Sequence, residues 1–551
     1  MRDPLPFDAV EVDRFVQRLR GTFDEVYPDR WSIDWSAIPS PFRWYESPVR
    51  IDLPPLPRAA ALGDAVTTSG RTGGRLNQLG AILQASYGVS GVRWYPEGIA
   101  KSSPDEPKPV HREPHYQLRR PVPSGGVTFP VECYVLSGST ADLPAGRYHY
   151  DATRHALVPL SAPNDPYEGS RADMPAVRHS GIRLLLTAPL WKNYFKYSDF
   201  SYRLAALDSG TVVGQYALVA HRWGWGCRVS FDADERAVLA ELGLDARQEA
   251  VIAVLDVDPP SAEPATTRRS QPGRVPTADL TAWRGAAGGP PPQAGASRMH
   301  AATLTADRGT GLPVDLPALP DPDPQDTRVS GSELITLPDV GAVDVPSVAE
   351  SWSRTALGEQ LRSTPLPSAA VARWLVQAAA PLNADLPGAE TGLDHVRCVL
   401  LIRAVEGLRP GAYLSTAHGR SLMRLAEGEF GAVVGAAMFG QYMNLVQAPL
   451  VVALVGAADP QLGRNGALAY RVQHHVAGVI AQRLLVAAAS DGVTGHPVLG
   501  FTSATLDRPT GVEALGWTSL LLMPFGLYRR ALYLESSLNP LAVPSAAEVD
   551  R

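Results

Sequence analysis

Apolar side chains at helical spacing mark three stretches of the first half of the chain. Residues 10–19 carry one short pattern. Leu76, Leu79, Ile82 and Leu83 carry a second, with Gly88 placed to end it, and residues 198–223 a third, longer one. Continuous apolar runs at 131–136, 182–187 and 250–257 have the length of buried strands. Residues 31–56 fit neither period. Aromatic residues alternate there with prolines, and Pro54, Pro55 and Pro57 block regular structure, so this segment reads as an arm laid over a core.

Residues 259–297 break the pattern with Pro, Gly, Ala and Ser around Gly288-Gly-Pro-Pro-Pro292, which predicts a flexible linker or surface excursion; plain disorder fits the same composition. Beyond it the landmarks return. Leu143-Pro-Ala-Gly-Arg-Tyr148 recurs as Leu408-Arg-Pro-Gly-Ala-Tyr413. Gly146, Tyr148, Leu157 and Leu160 match Gly411, Tyr413, Leu422 and Leu425, and Tyr202-Arg203 matches Tyr470-Arg471 at nearly the same offset. Thr187-Ala-Pro-Leu190 also has an echo in Gln447-Ala-Pro-Leu450. Ordered landmarks at a near-constant offset imply an internal duplication, a dimer fused into one chain.

Composition narrows the class. A length of 551 residues exceeds one ordinary core. Hydrophobic content of 45% with 19% charged residues is that of a soluble globular protein. A net charge of −6 argues against a partner held through phosphate neutralisation, so nucleic acid is not expected. Three scattered cysteines (Cys133, Cys227 and Cys398) fit a reducing, cytoplasmic setting. The N-terminus lacks a signal-peptide arrangement, and the longest apolar stretch, at 448–458, is too short to span a bilayer, so no membrane partner is expected.

Two motifs carry candidate chemistry. Arg120-Pro-Val-Pro-Ser-Gly-Gly126 precedes an apolar strand, and a glycine pair lets backbone amides approach a planar or anionic ligand. The same residues also suit an ordinary tight turn. Lys196-Tyr197 stands ahead of the long helix, where a cation and a helix N-terminus favour phenolate character. A snorkelling lysine beside a half-buried tyrosine is the plainer reading of that dipeptide. His115, His149, His155, His474 and His475 show no metal-ligand spacing, so no metal is expected. Residues 70–74 match neither a dinucleotide fingerprint nor a Walker loop.

With Pro-x-Glu-x-Tyr, Gly-x-Tyr-His-Tyr and Tyr-Arg beside them, these motifs resemble the FMN-dependent nitroreductase superfamily, in its SagB-type peptide azoline dehydrogenase branch. The resemblance covers most of residues 60–258 and 340–535, and a fused form looks like the oxidases of thiopeptide-type pathways. It implies an α+β fold of tandem nitroreductase-like domains forming an intramolecular pseudo-dimer. The expected division is an N-terminal arm at 1–60, a catalytic half at 61–258, a linker at 259–300 and a degenerate half at 301–551.

The resemblance also implies FMN-site residues. The first half supplies Arg120, Pro123, Ser124, Gly125 and Gly126. The second half supplies a phosphate clamp in Ser351, Ser353 and Arg354, a flavin-side loop in Pro497, Val498, Leu499 and Gly500, and cationic contacts in Arg529 and Arg530. Thr68-Ser-Gly-Arg71 is a poor clamp, and Trp223-Gly-Trp-Gly-Cys-Arg228 lacks the Pro-x-x-Gly-Phe pattern. The second half lacks Pro-Ser-Gly-Gly, and Arg464-Asn465 stands where Lys-Tyr would fall. The halves are complementary, so one FMN per chain is expected and the second site is vestigial.

The implied reaction oxidises thiazolines or oxazolines of a precursor peptide to thiazoles or oxazoles, with Tyr197 as general base, Lys196 as its electrostatic partner and dioxygen as final electron acceptor. Possible partners are a cyclodehydratase and other pathway proteins. The alternatives are an NAD(P)H-dependent nitro or quinone reductase, and a non-catalytic scaffold subunit of an azole-forming complex.

Overall fold

The computed structural model describes residues 5–33, 39–45, 49–56, 74–95, 115–137, 142–160, 182–189, 192–259, 294–304, 314, 316–321, 334–346, 350–351, 361–440, 443–459, 466–528 and 534–537. Two seven-stranded antiparallel sheets dominate it. The first orders its strands Ile51–Asp52, Ala156–Leu160, Gly146–Asp151, Glu132–Ser137, Ile182–Ala188, Ala250–Asp258 and Gly226–Ser230. The second runs Leu334–Thr336, Ser421–Glu427, Gly411–Ser415, Val396–Ile402, Leu450–Ala457, Trp517–Gly526 and Thr494–Gly495. Strand for strand, the two orders are the same.

The duplication extends to single contacts. The Tyr148 hydroxyl donates to the Pro144 carbonyl at 2.8 Å, and the Tyr413 hydroxyl donates to the Arg409 carbonyl at the same distance. One echo is a coincidence of composition. Thr187-Ala188 closes the strand Ile182–Ala188, whereas Gln447-Ala448 precedes the equivalent strand Leu450–Ala457. The two Ala-Pro-Leu motifs therefore lie at opposite ends of matching strands.

A long helix follows the fifth-ranked strand of each sheet, Ser201–Arg222 in one half and Gly466–Ser490 in the other. Nearly every residue of both is buried, because each packs on its own sheet and on its counterpart. They meet where neither has a side chain. A Cβ at Gly210 would lie 2.1 Å from the His475 carbonyl oxygen, and one at Gly478 would lie 2.3 Å from that of Leu207. Near this crossing the Gln482 side-chain amide donates to that of Gln215 at 2.8 Å.

The duplicated arginines also reach across. Arg203 donates to the carbonyls of Ser519 and Leu520 in the other half, at 3.4 and 2.8 Å. Arg471 pairs with Glu235.

The expected helices form at Ala9–Arg18, Arg75–Tyr87 and Ser201–Arg222. The proline-rich arm contributes the edge strand Ile51–Asp52, paired with Ala156–Leu160. Residues 260–293 of the expected linker lie outside the described residues, and its last residues belong to a helix. Gly295–Leu304 is helical, because Ala296, Met299, His300 and Thr303 supply a buried face at helical spacing. A small third sheet joins the halves: Leu534–Ser537 pairs with Gly91–Tyr95, which pairs with His115–Arg119. The last of these leads directly into Arg120. Among the described residues, no helix is long and apolar enough to cross a membrane, and no group of three or more His, Cys, Asp or Glu is placed to hold a metal ion.

Candidate active site

The glycine loop is a strained turn. Gly126, Val127 and Phe129 have φ of 68°, 60° and 45°, a region that β-branched and bulky residues seldom enter. The Ser124 hydroxyl closes the turn from within by accepting the Phe129 amide at 2.9 Å. Asp208, on the first long helix, anchors it from below. Its Oδ2 accepts the Ser124 hydroxyl and the Gly125 amide, both at 2.9 Å. A Cβ at 125 would stand 2.5 Å from a Leu204 methyl, so any larger residue would have to displace that side chain.

Pro123 is half-buried and Gly126 is exposed. The expectation that both glycine amides are open to a ligand is corrected at Gly125, whose N–H is taken by Asp208. Arg120 is buried under the loop, with its guanidinium over the rings of Tyr87, Phe42 and Phe129 at 4.0, 4.8 and 4.9 Å.

Lys196 and Tyr197 come to this loop from far along the chain. They end the single turn Tyr194–Tyr197, which begins at Asn193; the Asn193 carbonyl accepts the amides of Lys196 and Tyr197 at 3.2 and 3.0 Å. Ser198 then turns the chain with a φ of 49° before the long helix starts. A Cβ built on Gly126 would lie 3.2 Å from the Tyr197 hydroxyl and 3.6 Å from Lys196 Nζ. That amine stands 5.1 Å from the centre of the Tyr197 ring. Both side chains are half-buried, and burial lowers the Lys196 pKa.

A buried polar network that sequence reading missed supports the loop. The Lys192 ammonium, 1% exposed, donates to the Phe129 carbonyl at 3.0 Å and the Pro41 carbonyl at 3.2 Å, with Glu132 at 3.5 Å. Glu132 also meets His149 Nε2 at 3.0 Å. Behind them Arg43 grips Glu249 through two bonds of 3.0 and 2.7 Å and donates to the Tyr134 hydroxyl at 2.5 Å. Burial would raise the Glu132 pKa, but Lys192, His149 and Arg43 override it and hold the carboxyl near about 2. Burial brings Lys192 down to about 8 despite the pull of Glu132.

Asp208 behaves oppositely to Glu132. Burial pushes its carboxyl up to about 7, against the two hydrogen bonds it accepts. A raised carboxyl stabilises the fold while protonated, so its contribution is complete below the unfolded value near about 4 and is lost as pH rises through about 7. The contribution of Glu132 is present above about 4.3 and is lost as pH falls towards about 2. Between about pH 5 and pH 8, Asp208 is expected to cost the wild-type fold about 2–3 kcal/mol. Asp208→Asn should flatten that slope in urea denaturation; an unchanged slope would rule Asp208 out as its source.

In the second half, residues 497–500 run beside the strand Trp517–Gly526, with Val498 and Leu522 exchanging backbone bonds of 2.7 and 3.0 Å. The Gly500 carbonyl accepts the Phe439 amide at 2.9 Å. Pro497 and Gly500 are half-buried, and Val498 and Leu499 are buried. The Ser351 side chain is fully buried, and its hydroxyl has no hydrogen-bond partner among the described residues. Ser353, Arg354, Arg529 and Arg530 lie outside the described residues, as do residues 68–71 and 464–465.

An aromatic path connects the two sets. Trp31 donates its indole N–H to the Lys196 carbonyl at 3.3 Å. Its ring lies 6.3 Å from Tyr194 and 6.5 Å from Tyr27, and Tyr27 lies 6.4 Å from Phe439, the residue that holds Gly500. Phe200 also approaches Phe439, at 6.2 Å. At the root of the glycine loop, Gln482 of the second half donates to the Pro121 carbonyl at 3.1 Å. The structure thus brings residues 124–126 directly onto Lys196 and Tyr197 and links them to residues 497–500 through rings. Among the described residues, no hydrogen bond joins the Ser351 hydroxyl to the loop.

The matching position in the other half is occupied differently. Strand pairing aligns residues 497–500 with 229–232, since Gly495 faces Phe525 as Cys227 faces Val257. The counterpart is therefore Val229-Ser-Phe-Asp232 rather than Trp223–Arg228, which matches residues 491–496, the helix exit and strand start just before it. Residues 383–385 lie against it. The Val229 amide donates to the Asn383 carbonyl at 2.9 Å, and the Asp385 carboxylate accepts the Phe231 and Asp232 amides at 2.8 and 3.1 Å.

No protein-family model matches the chain. It is 31% identical over 144 residues to the microcin B17-processing protein McbC of Escherichia coli, across 25% of this chain and 53% of that protein. It is 30% identical over 135 residues to the trifolitoxin-processing protein TfxB of Rhizobium leguminosarum bv. trifolii, across 23% of this chain and 36% of that protein. The match thus spans about half the length of the first relative and about a third of the second. A crystal structure of a protein assigned as a nitroreductase in Anabaena variabilis superposes with a TM-score of 0.69 at 19% identity, over 94% of this chain and 99% of that one. The fold is therefore that of the nitroreductases, present as two like halves.

Proposed function

We propose that the protein is an FMN-dependent dehydrogenase of peptide azolines, acting on a precursor peptide after a cyclodehydratase has formed the rings. The carrying observation is the close approach of Tyr197 and Lys196 to Gly126, where a Cβ would stand 3.2 Å from the hydroxyl and 3.6 Å from the amine; it joins the two motifs behind the resemblance at one point. Similarity to processing proteins of microcin B17 and trifolitoxin supports the same reading.

The residues fit a flavin. The exposed Gly126 leaves room over the loop, and the buried Ser351 hydroxyl still wants a partner. Gly126, Ser351 and residues 497–500 would hold the cofactor, with Ser353, Arg354, Arg529 and Arg530 on its phosphate. When bound, FMN supplies the two-electron acceptor that ring oxidation requires. Tyr197 takes the proton from the ring carbon bearing the peptide chain. Lys196, against its ring, favours the phenolate that must do so. The buried network beneath the loop keeps water from its back face. Asp385 ties up the corresponding amides of the other half, which supports one cofactor per chain, bound between domains at 61–258 and 301–551.

The purified protein should carry flavin near one equivalent per chain and should remove two hydrogens per ring from an azoline peptide without nicotinamide, as followed by mass spectrometry. Absence of both would sink the proposal. The half-buried rings of Tyr27, Trp31 and Phe439 offer planar surface beside the pair, where a heterocycle-bearing peptide would stack. Phe439→Ala is expected to raise KM about tenfold with little change in kcat. Steady-state kinetics would show otherwise if kcat alone fell.

A further inference from the structure

Strained turns persist only where their surroundings over-determine them, and the turn at 124–129 is held at both ends. Asp208 holds its start through Ser124 and Gly125. Its end is held at Phe129, itself at a φ of 45°, by the buried Lys192 ammonium, which donates to the Phe129 carbonyl at 3.0 Å. The adjacent Asn193 side chain meets the Thr128 hydroxyl. By backbone, the same Asn193 starts the helical turn that carries the catalytic pair, since its carbonyl accepts the Lys196 and Tyr197 amides. Two adjacent residues thus grip the loop with their side chains, and one of them, Asn193, also holds the pair through its main-chain carbonyl.

We propose that Lys192 is a positioning residue for the reaction: its ammonium pins the Phe129 end of the strained turn and so sets Gly126 against the Tyr197 hydroxyl. This role rests on the assignment of Tyr197 as base. A buried cation is costly, and a lysine kept only to fill space is readily replaced by an apolar side chain of similar length. Here the charge has specific work. It satisfies two carbonyls, one on the loop and one on the arm at Pro41, and it neutralises Glu132 at 3.5 Å. Without it the turn is free to relax from its left-handed backbone, and Gly126 moves away from the pair.

The test is a double-mutant cycle on the full-length protein as purified, using Lys192→Met, Tyr197→Phe and their combination. Lys192→Met is expected to keep its flavin absorbance and its peptide KM within about twofold while kcat falls about 10–100-fold. The combined variant should be no slower than Tyr197→Phe alone, because a residue acting through Tyr197 has nothing left to position. Wild-type kcat in Lys192→Met, or losses that multiply in the combination, would overturn the proposal. Wild-type turnover in Tyr197→Phe alone overturns the base assignment, and the proposal with it.

Should Lys192→Met fail to fold, Lys192→Met combined with Glu132→Gln enters the same cycle in its place. The second change removes the carboxylate that the lost ammonium would strand, while the Phe129 carbonyl still lacks its donor. A several-fold loss of kcat that disappears on the Tyr197→Phe background supports the proposal, and an additive loss counts against it.

Discussion

Tyr197→Phe is expected to lower kcat for azoline oxidation by about 10²–10⁴-fold, the usual contribution of a placed general base. The change removes one oxygen from a half-buried ring that stays packed against the core and beside the Lys196 amine. Folding and flavin content should therefore be unaffected, so the loss belongs to chemistry. Lys196→Met should lose a smaller factor. The phenol remains, but the neighbouring cation that favours its ionised form is gone, and a free phenol near about 10 is a weak base at neutral pH. The KM for peptide should stay within about threefold in both variants. A Tyr197→Phe enzyme that holds flavin and turns over at the wild-type rate would remove Tyr197 from the mechanism. An enzyme that loses its flavin would instead make the tyrosine a cofactor contact.

Much of the architecture was legible because it was written twice. Tyr148 and Tyr413 occupy the same corner with the same hydrogen bond, and Tyr202-Arg203 and Tyr470-Arg471 open equivalent helices. Apolar runs gave the central strands to within a residue or two, since strands buried on both faces leave continuous hydrophobic stretches. The loop and the pair could be named as chemistry, but their meeting at Gly126 is a tertiary fact with no local signature.

The supports were harder to see. Lys192 reads as an ordinary polar residue beside a turn, and Glu132 as one carboxylate in a strand; only burial makes them partners. Asp208 did carry a signal, as the lone carboxylate of the long helix and set among apolar neighbours, where an unpaired charge is costly. The Ala-Pro-Leu echo failed for the opposite reason. Short motifs recur by composition, whereas register is set by strand pairing, and pairing puts those motifs at opposite strand ends.

Glu235→Gln is expected to destabilise the protein by about 3–5 kcal/mol, the cost of stranding a buried charge. Glu235 and Arg471 are each 1% exposed and pair across the halves. The carboxylate also accepts the Val251 amide at 3.0 Å, near the start of the strand Ala250–Asp258. Removing its charge leaves the guanidinium facing a neutral amide and the hydroxyls of Thr303 and Tyr202. Arg203, the duplicate of Arg471, is met by backbone carbonyls of Leu19, Ser519 and Leu520. Arg203→Met should cost less, about 1–3 kcal/mol for carbonyls left without donors. The combined change Glu235→Leu with Arg471→Met should lie nearer the wild type than Glu235→Gln, because an apolar pair replaces an ion pair whose attraction was largely offset by desolvation. Urea denaturation would reveal the order. The two long helices are packed together at Gly210 and Gly478, so wild-type and variant chains should each unfold in a single transition. A Glu235→Gln protein that melts in two steps would mean that this ion pair, rather than the helix crossing, makes the halves one cooperative unit.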